Sequence, residues 1–170
     1  MDPASRHNRC VMLEGIPRPP GVHPLISVIY IPLSLLWLER RLGLPKLPIG
    51  GWRVSGIPLV AAGIGLQWWS HRLFHTRGQG TPDPRHPPQF LVEDGPFQYS
   101  RNPIWIGRLL LLVGVGLVLR SLLLLLYVVA LAMMQHVRIV RAEEPELRER
   151  FGAEYEAYSA QAPRWIPGLP

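Results

Sequence analysis

Four apolar blocks dominate the pattern of this chain. Residues 22–38 are apolar but interrupted by Pro24 and Pro32. Residues 52–74 carry interspersed glycines and close on Gln67-Trp68-Trp69-Ser70-His71-Arg72. Residues 104–119 and 122–137 are the most apolar and meet at Arg120-Ser121. Sixteen helical residues rise about 24 Å, short of a hydrocarbon core of about 30 Å. Running the third block from Asn102 to Arg120, and the fourth on through Arg138, nearly closes the gap. Backbone polar groups in lipid must be satisfied within the segment, which selects helices. Gly107, Gly114 and Gly116 let a neighbouring helix come close. The pattern predicts an all-α, multi-pass membrane protein of about four transmembrane helices, the last two forming a C-terminal helical hairpin.

The polar stretches are as informative. Residues 40–51 read as a short loop rich in Pro and Gly. Residues 75–102 form a long connection with Pro82, Pro84, Pro87, Pro88 and Pro96, a length uncommon in a loop without a function. Residues 141–160 predict a cytosolic amphipathic helix, with Leu147, Phe151, Tyr155 and Tyr158 as its apolar stripe. Glu144–Arg148 and Glu146–Arg150 are i,i+4 pairs expected on its other faces. Pro145 suits a first helical turn, so this helix is expected to restart there after a bend. Residues 1–21 read as a flexible leader without a signal peptide, and 22–170 as one domain.

Composition agrees with a membrane setting. The apolar share is 48% and the charged share 18%, below the usual quarter. The net charge of +6 comes from arginines and a single lysine. Those arginines flank apolar blocks instead of forming a stripe, which points to membrane lipids as partners and to no nucleic acid. With four spans, twelve of the eighteen Lys and Arg residues fall on the side holding both termini and the 75–102 connection. That excess places this side, and the polar segments, in the cytoplasm. Trp37, Trp52, Trp68 and Trp69 sit near span ends as interfacial anchors. The lone Cys10 excludes an intrachain disulfide and a cysteine metal site. His71 and His75 are spaced for a metal but lack a third ligand, so no metal is assigned.

Candidate chemistry gathers at the cytoplasmic end of the hairpin. Glu143 and Glu144 follow the fourth block; Arg101-Asn102-Pro103 opens the third. A hairpin brings the two together. Pro103 at the first helical position leaves free N–H groups which, with the Asn102 side chain, suit a carboxylate. A glutamate opposite suits an ammonium. An amino-acid moiety carries both groups, and S-adenosylmethionine carries such a moiety.

Here a resemblance becomes specific. Gly95-Pro96-Phe97, Arg101-Asn102-Pro103-Ile104-Trp105-Ile106-Gly107, the apolar hairpin, Glu143-Glu144-Pro145-Glu146-Leu147 and Phe151-Gly152 with Tyr155 and Tyr158 resemble the pattern of integral membrane methyltransferases. That family includes isoprenylcysteine carboxyl methyltransferases and phospholipid N-methyltransferases. The match runs from about Trp52 to Ile166. It implies S-adenosylmethionine as cofactor in a core spanning 75–170. By resemblance, Gln89, Phe90, Leu91 and Val92 would contact the cofactor, Phe97 would stand beside its adenosyl group, Asn102, Pro103, Ile104 and Trp105 would line its methionine end, and Glu143 would pair with its amino group. The implied function is methyl transfer to a lipophilic or membrane-associated substrate at the cytosolic face.

Three positions depart from the family pattern. Asn102 replaces a frequent His and Trp105 a usual Tyr. Ile139 stands where prenylcysteine-specific members place an arginine, which tells against that substrate. Arg108 and Arg141 are the cations available to orient an acceptor, and we take them as the catalytic candidates. His136 ends the fourth block near the same face. Arg164-Trp165-Ile166-Pro167 resembles a terminal Arg-x-x-Pro segment and is expected to fold back over the site. Two rivals stand beside this reading. One is a membrane NADPH-dependent reductase of the sterol-reductase-like type, whose acidic residue after the final glycine is Arg108 here. The other is a non-catalytic lipid-binding membrane protein.

Overall fold

The computed structural model describes residues 25–78 and 90–166, and all regular structure among them is helical. The leader and Gln89 lie outside the described residues. A π-helical turn, Ile26–Tyr30, leads into α1, Ile31–Arg41. A 3₁₀ turn, Gly50–Ser55, runs without a break into α2, Gly56–Thr76. Helix α3 is Pro103–Leu119 and α4 is Leu122–Arg138. A second π-helical turn, Ile139–Glu143, joins α4 to α5, Glu144–Phe151, and α6 is Ala153–Gln161. Among the described residues one helix is long and apolar enough to cross a membrane, the continuous rod Leu122–Phe151; Pro103–Leu119 is apolar but shorter.

Helices α2 and α3 touch backbone to backbone. Gly56 and Gly63 on α2 oppose Gly114 and Gly107 on α3. A Cβ on Gly63 would lie 2.6 Å from the Gly107 carbonyl oxygen, and one on Gly114 would lie 2.6 Å from that of Gly56. Seven-residue spacing on both helices keeps the glycines on one face through two turns, so the seam holds along the crossing. Gly116, expected to serve the same purpose, faces α4: its Cβ would meet a Leu125 methyl at 2.7 Å.

The α3–α4 turn is tied down at the end away from the polar segments. Arg120 adopts φ 58°, and its Nε donates to the Leu47 carbonyl at 2.6 Å while Leu47 N–H donates back to the Arg120 carbonyl at 3.0 Å. Ser121 Oγ accepts from Leu124 N–H at 3.1 Å, and the buried Glu39 carboxylate accepts from Leu123 N–H at 2.9 Å. Two of the orphan donors that open α4 are thereby satisfied.

Both π-helical turns end two residues before a proline, Tyr30 before Pro32 and Glu143 before Pro145. A proline donates no N–H, and its ring crowds the carbonyl four residues back. That carbonyl belongs to Val28 or Arg141, the middle of each π turn, and the wider turn absorbs the clash without a break. The expected bend and restart at Pro145 are therefore replaced by a continuous rod. The interruption comes at Gly152, whose φ of 55° and ψ of −126° suit glycine alone and split the expected single surface helix into α5 and α6.

The second π turn also sets the register. Inward positions on the rod are Leu124, Val128, Leu131, Gln135 and Ile139, then Glu144. Each step is three or four residues until the last, which is five. An unbroken α-helical register would have turned Ala142 or Glu143 inward. Glu144 was expected on an outer face; it is buried, at 3% exposure.

Candidate functional site

The site is built where the open end of the α3–α4 hairpin meets the connection and the tail. A 3₁₀ turn, Gly95–Gln98, drops Phe97 into the core, 5.3 Å ring to ring from Phe74 on α2. Tyr158 Oη, on α6, donates to the Phe97 carbonyl at 2.9 Å. Val92, Phe97, Ile104, Tyr155, Tyr158 and Ala162 form one buried cluster, flanked by Leu147 and Phe151. The predicted apolar stripe of the tail is thus the surface that clamps the connection to the start of α3.

Pro103 opens α3 at its first position, as its sequence implies. The Asn102 side chain does not cap the helix; its Nδ2 donates to the Arg164 carbonyl at 3.0 Å. Ile106 N–H reaches the Asn102 carbonyl at 3.1 Å. Pro103 has no N–H, so the free donors of this helix end are those of Ile104 and Trp105.

A buried ionic cluster holds this end together. Glu144 lies 3.1 Å from Arg101 and 3.8 Å from Arg148, and it accepts from Arg164 Nε at 2.6 Å and Nη2 at 3.1 Å. Burial alone would push the Glu144 carboxyl up. The Arg164 hydrogen bonds and the charges of Arg101, Arg164 and Arg148 outweigh it and hold the group below its ordinary range. Arg101 also donates to Tyr155 Oη at 3.2 Å, and burial pushes the Tyr155 phenol up. Arg101 Nε is buried without a partner.

Glu143 turns another way. It is about a third exposed and lies 3.4 Å from Arg138. Burial pushes its carboxyl up, with the Arg138 charge opposing and Glu146 reinforcing the shift. Trp105 lies under Arg108, the guanidinium 4.1 Å from the ring centroid. Arg108 is buried at 6% exposure, and its Nε has no partner. Arg141 is exposed on the π turn. Leu91 packs on the core, whereas Phe90 is exposed.

The tail does fold back. Arg101 N–H donates to the Pro163 carbonyl at 2.9 Å, Ser100 Oγ donates to the Arg164 carbonyl at 3.2 Å, and Trp165 Nε1 donates to His136 Nδ1 at 3.0 Å. His71 Nδ1 pairs with the Gln67 carbonyl at 2.8 Å. The geometry therefore brings Asn102, Pro103, Ile104 and Trp105 to the same end as Glu144, which Arg101 and Arg164 tie to them, whereas Glu143 pairs with Arg138. It adds Ser100 and Tyr155, and it gives direct contacts to Arg101 and Arg164, which the sequence places at this end without assigning them a role. Their signal was adjacency: Ser100 and Arg101 precede Asn102, and Arg164 belongs to the tail motif.

The site thus unites a helical apolar hairpin with polar ends joined by one ionic cluster, and the comparisons agree with that construction. The model of the phospholipid methyltransferase family matches residues 52–154. The match covers more than half of the chain and takes in both halves of the site, so the chain belongs to that family and is a membrane-associated methyltransferase. No curated protein matches the chain.

Proposed function

We propose that this chain transfers a methyl group from S-adenosylmethionine to a lipophilic acceptor, in the manner of isoprenylcysteine carboxyl methyltransferases. In this reading its apolar blocks cross the membrane four times, with the site and both termini on the cytoplasmic side. The observation that supports it best is the 3.1 Å contact between Arg101 and Glu144, which brings the two halves of the family motif to one end of the hairpin.

The residues present fit the cofactor's amino-acid end. The N–H groups of Ile104 and Trp105 and the Asn102 amide would hold its carboxylate. Glu143, about a third exposed and next in sequence to the buried Glu144, would take its ammonium. Phe97, Val92, Leu91, Phe90 and Gln89 would supply the adenosyl side. When bound, the cofactor supplies an electrophilic sulfonium methyl. The protein's task is then to align the acceptor and exclude water. Arg108, with an unpartnered Nε above Trp105, is placed to orient an anionic group on a substrate arriving from the bilayer, and Arg141 lies on the adjoining turn.

The test is equilibrium binding of S-adenosylhomocysteine to the purified protein in bilayer discs. It is coupled to transfer of labelled methyl into a total lipid extract. The reading expects binding and a labelled lipophile. Binding of NADPH instead, or of neither compound, refutes it.

A further inference from the structure

The donors proposed for the cofactor's carboxylate border a cradle that the protein fills with its own chain. Residues 100–102 present three donors in a row, and all three end on the tail. Arg101 N–H reaches the Pro163 carbonyl at 2.9 Å, while Ser100 Oγ and Asn102 Nδ2 reach the Arg164 carbonyl at 3.2 and 3.0 Å. Two oxygens taking N–H and O–H donors are also what a carboxylate offers.

The segment that supplies those oxygens is held mainly by polar contacts, with Trp165 stacked on the His136 ring, centroids 6.4 Å apart. Ala162 is the last residue of the tail in the core, at 2% exposure, and its extended backbone ends α6. Beyond it Pro163, Arg164 and Trp165 are partly exposed, and Ile166 is 55% exposed. What fastens them is the Arg164–Glu144 pair, the Trp165–His136 bond and the cradle. The neutral bonds among these exchange with water at small net cost and the Arg164–Glu144 pair at a larger one; releasing Tyr158 or Ala162 would in addition expose apolar surface. Release also strands no buried charge, because Glu144 keeps Arg101 at 3.1 Å and Arg148 at 3.8 Å.

We propose that residues 163–166 are an internal pseudo-ligand: their carbonyls occupy the cradle of residues 100–102, and the carboxylate of the incoming cofactor displaces them. The cofactor site is then closed by the tail at rest, and occupancy frees the tail. This inference rests on the reading of this end as the S-adenosylmethionine site.

Amide hydrogen exchange on the full chain in bilayer discs, with and without S-adenosylhomocysteine, is the direct test. Exchange at residues 164–166 should accelerate on saturation while α6 stays protected. Binding to a chain ending at Ala162, and to Arg164→Ala, should tighten roughly tenfold, the gain expected when a binding-competent state populated at about a tenth becomes the sole state. If the ligand binds and the tail becomes more protected, or if both variants bind more weakly, the pseudo-ligand inference is wrong and the cofactor assignment stands. If neither the full chain nor the shortened one binds, the cofactor assignment itself is wrong and the inference falls with it.

Discussion

Arg101 and Glu144 stand on opposite sides of the apolar hairpin in the chain and 3.1 Å apart in the structure. Glu144 is almost wholly buried and gathers three guanidiniums from the start of α3, from α5 and from the tail. Removing one partner of a buried ion pair leaves uncompensated charge behind. Glu144→Ala is therefore expected to cost about 3–5 kcal/mol, read as a fall in thermal midpoint in detergent. A variant as stable as the parent would show that the cluster is solvated and contributes little.

Neighbouring Glu143 should behave differently. Its contact is Arg138, and it is about a third exposed, so Glu143→Ala should leave the thermal midpoint close to wild type. Binding of S-adenosylhomocysteine should weaken by roughly tenfold or more, the loss of a charge-assisted hydrogen bond worth about 1.5–3 kcal/mol. Titration calorimetry on the two alanine variants separates the roles. Unchanged affinity in Glu143→Ala would remove this residue from the site.

Acid should loosen the same end of the molecule. The folded state holds the Glu144 carboxyl below its ordinary value of 4.5. Its contribution to stability is then fully present above that value and is lost as pH falls through the lowered one. Wild type should lose stability more steeply than Glu144→Gln below about pH 4.5, and the difference between the two curves isolates this residue from Glu143, whose shift has the opposite sign. Parallel curves would contradict the depressed value.

The α2–α3 seam offers a cleaner contrast. A Cβ on Gly63 would meet backbone atoms of Gly107 and Leu111 at 2.6 Å, whereas one on Gly65 meets nothing within 4 Å. Gly63→Ala should destabilise by about 1–3 kcal/mol through overpacking. Gly65→Ala should be neutral or stabilising by about 0.5–1 kcal/mol through lower helix entropy cost. Thermal denaturation of the pair checks both signs.

The helices themselves were legible, because long apolar blocks ending at charged residues leave few alternatives. Pro103 and the convergence of Arg101 with Glu144 were legible for the same reason: a tight turn at Arg120-Ser121 forces the hairpin ends together. The register beyond Ile139 was not. A π turn inserts a residue that leaves no mark in hydropathy, so which glutamate turns inward depended on how the chain accommodates Pro145. The glycine seam was half visible. Gly107 and Gly114 stood out on α3, but their partners Gly56 and Gly63 could be recognised only once the two helices were paired. Gly152 belongs to the Phe151-Gly152 motif, and its positive φ explains why the tail comprises two helices.

Backbone contact between α2 and α3 has a bearing on traffic. Where Gly63 meets Gly107 there is no room for even a methyl group, so an acyl or prenyl tail cannot slip between those two rods. Any apolar guest that reached Asn102 through the bilayer would have to come round this seam, not through it.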